Sequence, residues 1–398
     1  MQILLINQYY PPDTSATAKM ACAVVEALAE RHQVTVLAGR PSYDPTVYHP
    51  LYLTRVERSG PVRIRRVGST AFPRHRMRRR VSNYLSYLSL ALPAALTIPA
   101  DLIMTMTDPP IVGLLGAWVA RQRRLPFVYN IRDLYPDMAV GGEIVGKGRL
   151  VDVWESMHRW ALRQASRIIV LGDDMRERIA AKGVDPARIA VVRDGAPLAE
   201  PVSVNGHPAT RAIRNGFPFV ALHAGNLGFY GAWNTLIEAA RQLQGEGIGL
   251  VFVGGGAQRD RLGGQAREVC GVRFLPFRPP EEIPHVLAAA DVHVITIRRG
   301  LEGVVVPSKL YGILAAGRPV LAVTTPRSDV ARIVTAAGCG RVADPDDPAA
   351  VAAALRELRA CPEQLAEMGR RAREKAREFE RSGQLRRLVQ VVEEAGGK

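Results

Sequence analysis

Cysteine is scarce. Cys22, Cys270, Cys339 and Cys361 are the only four in 398 residues, with no pair at metal-ligand spacing and no disulfide framework, so a reducing, cytoplasmic setting is expected. Long apolar runs are missing too. The nearest approach, VSNYLSYLSLALPAALTI (81–98), is too polar and too Pro-broken to read as a membrane span. The opening MQILLINQYYPP lacks the basic start and small-residue cleavage site of a signal peptide. No GxxxxGK(S/T) phosphate loop, HExxH, CxxC or GxSxG is present, which argues against P-loop, zincin, thiol-redox and serine-hydrolase chemistry. No GxGxxG follows the first strand, and Gly254-Gly255-Gly256 lacks the third glycine at the required offset, so a nicotinamide site is not indicated. Asp344-Pro345-Asp346 matches a metal-binding DxD only in its letters; before a helix, Asp is an ordinary N-cap.

Cations are in excess. Lys and Arg number 53 against 38 acids, a net charge of +15, which favours phosphates, nucleic acid or an anionic membrane as partners. The excess is concentrated between Arg63 and Arg80, where eight arginines (63, 65, 66, 74, 76, 78, 79, 80) occur without an acid. Val81, Tyr84, Leu85, Leu88 and Leu92 follow at helical spacing. Two readings stand: a solvated basic loop before a core helix, or a peripheral contact with an anionic membrane face, where each Lys or Arg contributes roughly 1 kcal/mol. A nucleic-acid protein is also motivated by the charge, but the chain lacks RRM, KH or zinc-finger signatures and interleaved aromatics, so no nucleic-acid partner is expected.

Short apolar runs alternate with helical patterns. In the first half the predicted strands are 2–7, 33–38, 62–67, 102–106, 127–131, 167–171 and 189–193, separated by helices over 16–31, 81–96, 111–123, 149–165 and 173–182. Residues 195–217, rich in Pro, Gly and Asn, read as an interdomain connection. Alternation restarts with strands at 219–225, 249–255, 272–277, 292–297 and 319–324, and a charged helical end runs from Glu363. The pattern predicts an α/β protein with two doubly wound, Rossmann-like domains facing across a cleft: 1–197, and 198–377 with a final helix of about 378–396 packing back on the first.

The most informative segment is DVHVITIRRGLEGVVVPSKLYGILAAGRPVLAV (291–323). Glu302 follows the end of a strand, Ser308 and Lys309 open a helix, and unpaired helix-end N–H groups with a nearby ammonium suit a diphosphate. Arg298 or Arg299 is placed to assist. Strand, Gly225-Asn226-Leu227-Gly228, then helix is a second turn where backbone can approach an anion.

Together with NQYYPPDTSATA, IRDLYPD, VVRDGAP, HAGNLG and PSKLYGILAAGRPV, in that order along nearly the whole chain, these segments resemble the retaining family-4 glycosyltransferases of the GT-B fold, in the branch that builds bacterial capsule, O-antigen and exopolysaccharide. The resemblance implies transfer of a sugar from a nucleotide-sugar to an acceptor hydroxyl; no metal site is visible in the sequence, so no metal or other cofactor is expected, and the basic stretch with the helix after it favours an acceptor that is lipid-linked, a saccharide being the other choice. It implies catalytic roles for Glu302, toward the donor sugar, and Asp133, toward the acceptor. Diphosphate contacts fall to Gly225, Asn226, Gly228, Ser308 and Lys309, and nucleotide contacts to Gly254, Gly255, Phe277, Arg278 and Tyr311. Thr14, Ser15 and Thr17 form the acceptor-side loop, and Thr107-Asp108-Pro109-Pro110 is a similar strand-end loop. The sequence departs from the family at Gly312, where a ribose-binding Glu is expected; Tyr311 or backbone groups then take its place. A nucleotide-sugar epimerase or a non-catalytic partner protein remain the other classes.

Overall fold

The computed structural model describes residues 1–42, 50–72, 76–198, 202–203 and 206–397. The first half contributes β1 (Gln2–Ile6), β2 (Gln33–Gly39), β3 (Thr54–Ser59), β4 (Val62–Val67), β5 (Leu102–Thr105), β6 (Phe127–Asn130), β7 (Arg167–Val170) and β8 (Ile189–Val191). They form one sheet in the order β3-β4-β2-β1-β5-β6-β7-β8, parallel except for the antiparallel β3–β4 pair. The second half contributes β9 (Phe219–Ala224), β10 (Ile248–Val253), β11 (Val272–Leu275), β12 (Val292–Thr296), β13 (Val320–Val323) and β14 (Gly340–Ala343). This sheet is wholly parallel, in the order β11-β10-β9-β12-β13-β14. Strands such as ILLI and LVFV are apolar at every position because helices cover both faces of a parallel sheet.

On one face of the first sheet lie the helices Met77–Thr97, Val112–Arg123 and Arg149–Gln164, side by side. On the other lie Ala16–Ala29 and the last helix, Arg381–Ala395, whose Leu388, Val389, Val391 and Val392 share a core with Ile3, Leu5, Val25 and Leu28. The chain therefore crosses back to the first domain after completing the second. The two domains also bond directly. Arg193 pairs with Asp173 and Asp329 at 2.7 Å each, Asp329 N donates to Asp174 at 2.9 Å, and Arg178 donates to the carbonyls of Gly300 and Glu302.

Three expectations change. The basic stretch is not one solvated loop: Arg63, Arg65 and Arg66 lie in β4, where the strand 62–67 is predicted, Arg78, Arg79 and Arg80 lie in the next helix, and Arg66 is buried, donating to Glu57, Gly39 O and Pro11 O. Arg74 lies outside the described residues, and the helix after it begins at Met77 rather than 81. The 195–217 connection contains a helix, Pro208–Arg214, started by His207, whose ring nitrogen accepts from Ala209 N. Asp347, not the DxD pair, caps the helix Pro348–Ala360; Asp344 and Asp346 both bind Arg299.

Candidate active site

In a doubly wound sheet, ligands sit beyond the carboxyl ends of the strands where the strand order reverses. In the second sheet that point lies between β9 and β12. The loop leaving β9 is the Gly225–Gly228 turn, and the loop leaving β12 runs to Lys309. A cavity of about 700 Å³ lies there, lined by Gly225, Asn226, Gly228, Ser308, Lys309 and Gly312 from the second domain. From the first domain Ala16, Lys19, Met20, Ala23 and the Arg132–Asp194 pair close it, joined by Arg381 of the last helix.

Lys309 bridges the two loops. Its Nζ lies 3.0 Å from His223 Nε2, and a Cβ on Gly225, which has φ +139°, would meet that Nζ at 2.8 Å. Glycine at 225 therefore provides both the backbone conformation and the room for the ammonium. Gly254, at φ +148°, lets the neighbouring loop close over Gly225, where a side chain would overlap its carbonyl. His223 Nδ1 lies 3.1 Å from Val294 O; with the proton there, Nε2 accepts from Lys309. Burial and the Lys309 charge keep this imidazole neutral, far below its ordinary pKa. Burial also pulls Lys309 down to about 7. Trp233 packs edge-on to His223 with centroids 4.8 Å apart and donates to Gly228 O at 2.6 Å, bracing the turn. Within the turn, Gly225 N and Leu227 N are bonded to Val253 O and Gly255 O.

The cavity is cationic. Lys19, Lys309, Arg132 and Arg381 line it, and its one acid, Asp194, is paired with Arg132 at 2.6 Å. Arg381 donates to Gly195 O at 3.3 Å and leaves Nε buried without a partner. This suits a ligand with more than one negative charge.

Residues 15–195 match the family model described as a glycosyl transferase 4-like domain, and residues 212–375 match that of glycosyl transferases group 1. The chain belongs to the family-4 glycosyltransferases of the GT-B fold. This glycosyltransferase is 25% identical over 308 residues to the "Probable glycosyltransferase WbjE" of Pseudomonas aeruginosa, covering 75% of this chain and 76% of that one. Its fold matches HepE of Anabaena, solved in complex with UDP, with TM-score 0.69 and 17% identity over 99% of this chain and 100% of that one. It also matches WaaG, a glycosyltransferase involved in lipopolysaccharide biosynthesis, with TM-score 0.63 and 17% identity over 98% and 99% of the two chains.

Several residues expected at the glycosyltransferase's cleft lie elsewhere. Glu302 is turned away: Oε1 accepts from Thr325 Oγ1 at 2.9 Å and Oε2 from Gly300 N at 2.9 Å, and the residue does not line the cavity. Tyr311 is buried against Phe379, with ring centroids 5.2 Å apart, and cannot replace a ribose ligand. Gly312, one position on, does line the cavity, and a Cβ there would meet only Leu287, at 3.8 Å. Phe277 is exposed and flanks Gly255, while Arg278 faces Glu282 at 3.8 Å; none of Gly254, Gly255, Phe277 and Arg278 lines the cavity. Arg298 and Arg299 are engaged by Glu143 and by Asp344 with Asp346, so neither assists Lys309. Ser15 caps the first helix by accepting from Ala18 N at 3.0 Å, and Thr14 and Thr17 are absent from the cavity wall; the next turn of that helix supplies Lys19 and Met20 instead.

Asp133, expected to be catalytic, follows β6 next to Arg132 of the cavity wall but is not itself among the residues that line the cavity. Burial and the nearby Asp108 carboxylate raise its pKa to about 6, and Arg132 and Arg80 limit the rise. The same carboxylate acts electrostatically on Tyr230, which lines the cavity. Sequence reasoning missed His223, Arg132, Lys19 and Arg381 as wall residues; His223 lies in HAGNLG and Arg132 in IRDLYPD, while Lys19 and Arg381 lie in none of the motifs.

Proposed function

We propose that this glycosyltransferase moves a hexose from a nucleotide-sugar to an acceptor hydroxyl with retention at the anomeric carbon, without a metal. The reading rests on one observation: Lys309 and Ser308 from one loop and the Gly225–Gly228 turn from another meet in a single cationic cavity between the domains. Lys309, with Arg381, stabilises the charge that develops on the departing diphosphate, and the cleft holds the acceptor in place. The reaction passes front-face through an oxocarbenium-like state, and a trapped covalent glycosyl-enzyme would refute that route. Asp133 accepts a hydrogen bond from the acceptor hydroxyl. The UDP held by the Anabaena neighbour supports a nucleoside-diphosphate donor. A thermal-shift screen of UDP-, GDP-, ADP- and TDP-sugars tests it, since a ligand at about 100 times its Kd adds about 2.7 kcal/mol. One series should raise Tm, equally in EDTA; no response to any nucleotide sugar sinks the reading.

We place the acceptor on a lipid-linked or glycan intermediate of surface polysaccharide synthesis, at the cytoplasmic membrane face. No helix among the described residues is long and apolar enough to cross a membrane. The support is the helix Met77–Thr97: Arg76, Arg78 and Arg79 are exposed at its start, and Met77, Val81, Leu85 and Leu96 are exposed along it. Between Glu57 and Asp101 the sequence has no acid. Changing Arg76, Arg78 and Arg79 to Glu should cut sedimentation with phosphatidylglycerol liposomes by about 100-fold or more, at roughly 1 kcal/mol for each charge lost. Unchanged binding excludes the membrane contact.

A further inference from the structure

A second concavity lies on the same face of the first domain, between the helices Val112–Arg123 and Arg149–Gln164. It has a volume of about 610 Å³ and walls of Leu114, Trp118, Val153, Met157 and Trp160. Trp118 and Val153 are 38% and 58% exposed, a large apolar surface for a solvent-facing position. The only polar members of its lining are Asp152 and Ser156, so the groove favours neutral hydrocarbon and disfavours an anion.

Leu114 and Met157 also bound a small cavity beneath the groove that touches Pro110 and Trp154. The Trp154 ring stacks on Tyr135 with centroids 5.7 Å apart and planes at 15°. Tyr135 lies within electrostatic reach of Asp133 and Asp108. A run of apolar and aromatic side chains therefore links the surface groove to Tyr135, beside Asp133 and Asp108. The neighbouring helix Met77–Thr97 has the acid-free, arginine-rich start that an anionic headgroup requires. One amphiphile, hydrocarbon with phosphate, fits both surfaces.

We propose that the groove walled by Leu114, Trp118, Val153, Met157 and Trp160 binds the hydrocarbon chain of a lipid-phosphate acceptor, with the chain's polar end directed toward Asp133. This deepens the acceptor assignment above and rests on it.

The chain holds four tryptophans, Trp118, Trp154, Trp160 and Trp233, and two line the groove, so bromine quenching reads occupancy directly. The probe is 11-bromoundecyl phosphate below its micelle concentration, with 11-bromoundecanol and inorganic phosphate plus bromide as the separating arms. Saturable quenching is expected from both chain-bearing probes and not from the salts. The double variant Trp118→Phe/Trp160→Phe should lose most of the amplitude. Val153→Asp, a surface change that leaves the fold intact, should weaken the apparent affinity by about tenfold. Both variants should keep the wild-type thermal shift with nucleotide-sugars. Equal quenching in Val153→Asp and wild type overturns the proposal. So does absence of quenching in wild-type protein with a normal nucleotide response. A dimer in sedimentation that Val153→Asp dissociates also overturns it, because the groove is then covered by a second copy. Loss of the nucleotide response alone, with quenching intact, strikes the donor reading instead.

Discussion

Lys309→Met is expected to abolish the thermal shift with nucleotide-sugars, lower kcat/KM by about 10²–10³, and raise the Tm of the free protein at pH 6. The first two effects follow from the role proposed for Lys309 at the departing diphosphate; removing one such stabilising group is worth about 2.7–4 kcal/mol at comparable sites. The third follows from burial, which holds Lys309 near pKa 7 against an ordinary 10.5. Between those values the folded protein carries fewer protons than the unfolded chain, so this group's contribution to stability rises with pH across the window. Below pH 7 the desolvated ammonium is fully charged and its destabilisation is greatest. Methionine relieves it, and each kcal/mol so gained is worth about 2–4 °C in a domain of this size. The gain should shrink as pH rises from 7. Donor binding has the opposite sign: a diphosphate requires the charged amine, so above pH 7 binding takes up a proton and affinity falls. Calorimetry in buffers of different ionisation enthalpy measures that uptake. If Lys309→Met retains nucleotide affinity, the cavity is not a diphosphate site.

Asp133→Asn should reduce kcat by about 10²–10⁴ while leaving the nucleotide thermal shift unchanged, given the role proposed for it toward the acceptor. Its pKa near 6 sets a pH signature. The carboxyl is protonated below pH 6, so wild-type kcat/KM should fall about tenfold per pH unit on that side. The limb should vanish in Asp133→Asn. Asp108→Asn removes a like charge, lowers the Asp133 pKa and should move the limb to lower pH. A fully active Asp133→Asn would reduce the residue to local structure.

The fold was readable because parallel strands buried on both faces are short continuous apolar runs. The strands missed are those that break that rule. In β3, TRVERS, the strand is exposed along nearly its whole length at the sheet edge. In β14, GRVA, the strand is four residues long, only partly buried, and pairs on one side alone. The site divides on a different line. Lys309 and the Gly225 turn lie in contiguous motifs that follow strand ends, and topology brings strand ends together. Side-chain direction is set by partners distant in sequence. Glu302 is held by Thr325, and Ser15 by the helix it starts. Tyr311 and Gly312 are adjacent, yet a single step of about 100° around a helix sends one into the core and the other to the cavity. Lys19 and Arg381 reach the cavity from opposite ends of the chain, and no local pattern reveals such a meeting.

The return of the last helix has a consequence for biosynthesis. Its Leu388, Val389, Val391 and Val392 complete a core begun by β1, and at ~1.5–3 kcal/mol per buried aliphatic side chain they rival a domain's entire net stability of ~5–15 kcal/mol. The amino-terminal half thus emerges from the ribosome unfinished and stays so until the helix Arg381–Ala395 has been made. Severing the chain near residue 197 strands both halves, since the fragment with the final helix would expose its apolar face and the other would lack its seal. Activity should return only when the two pieces are produced together.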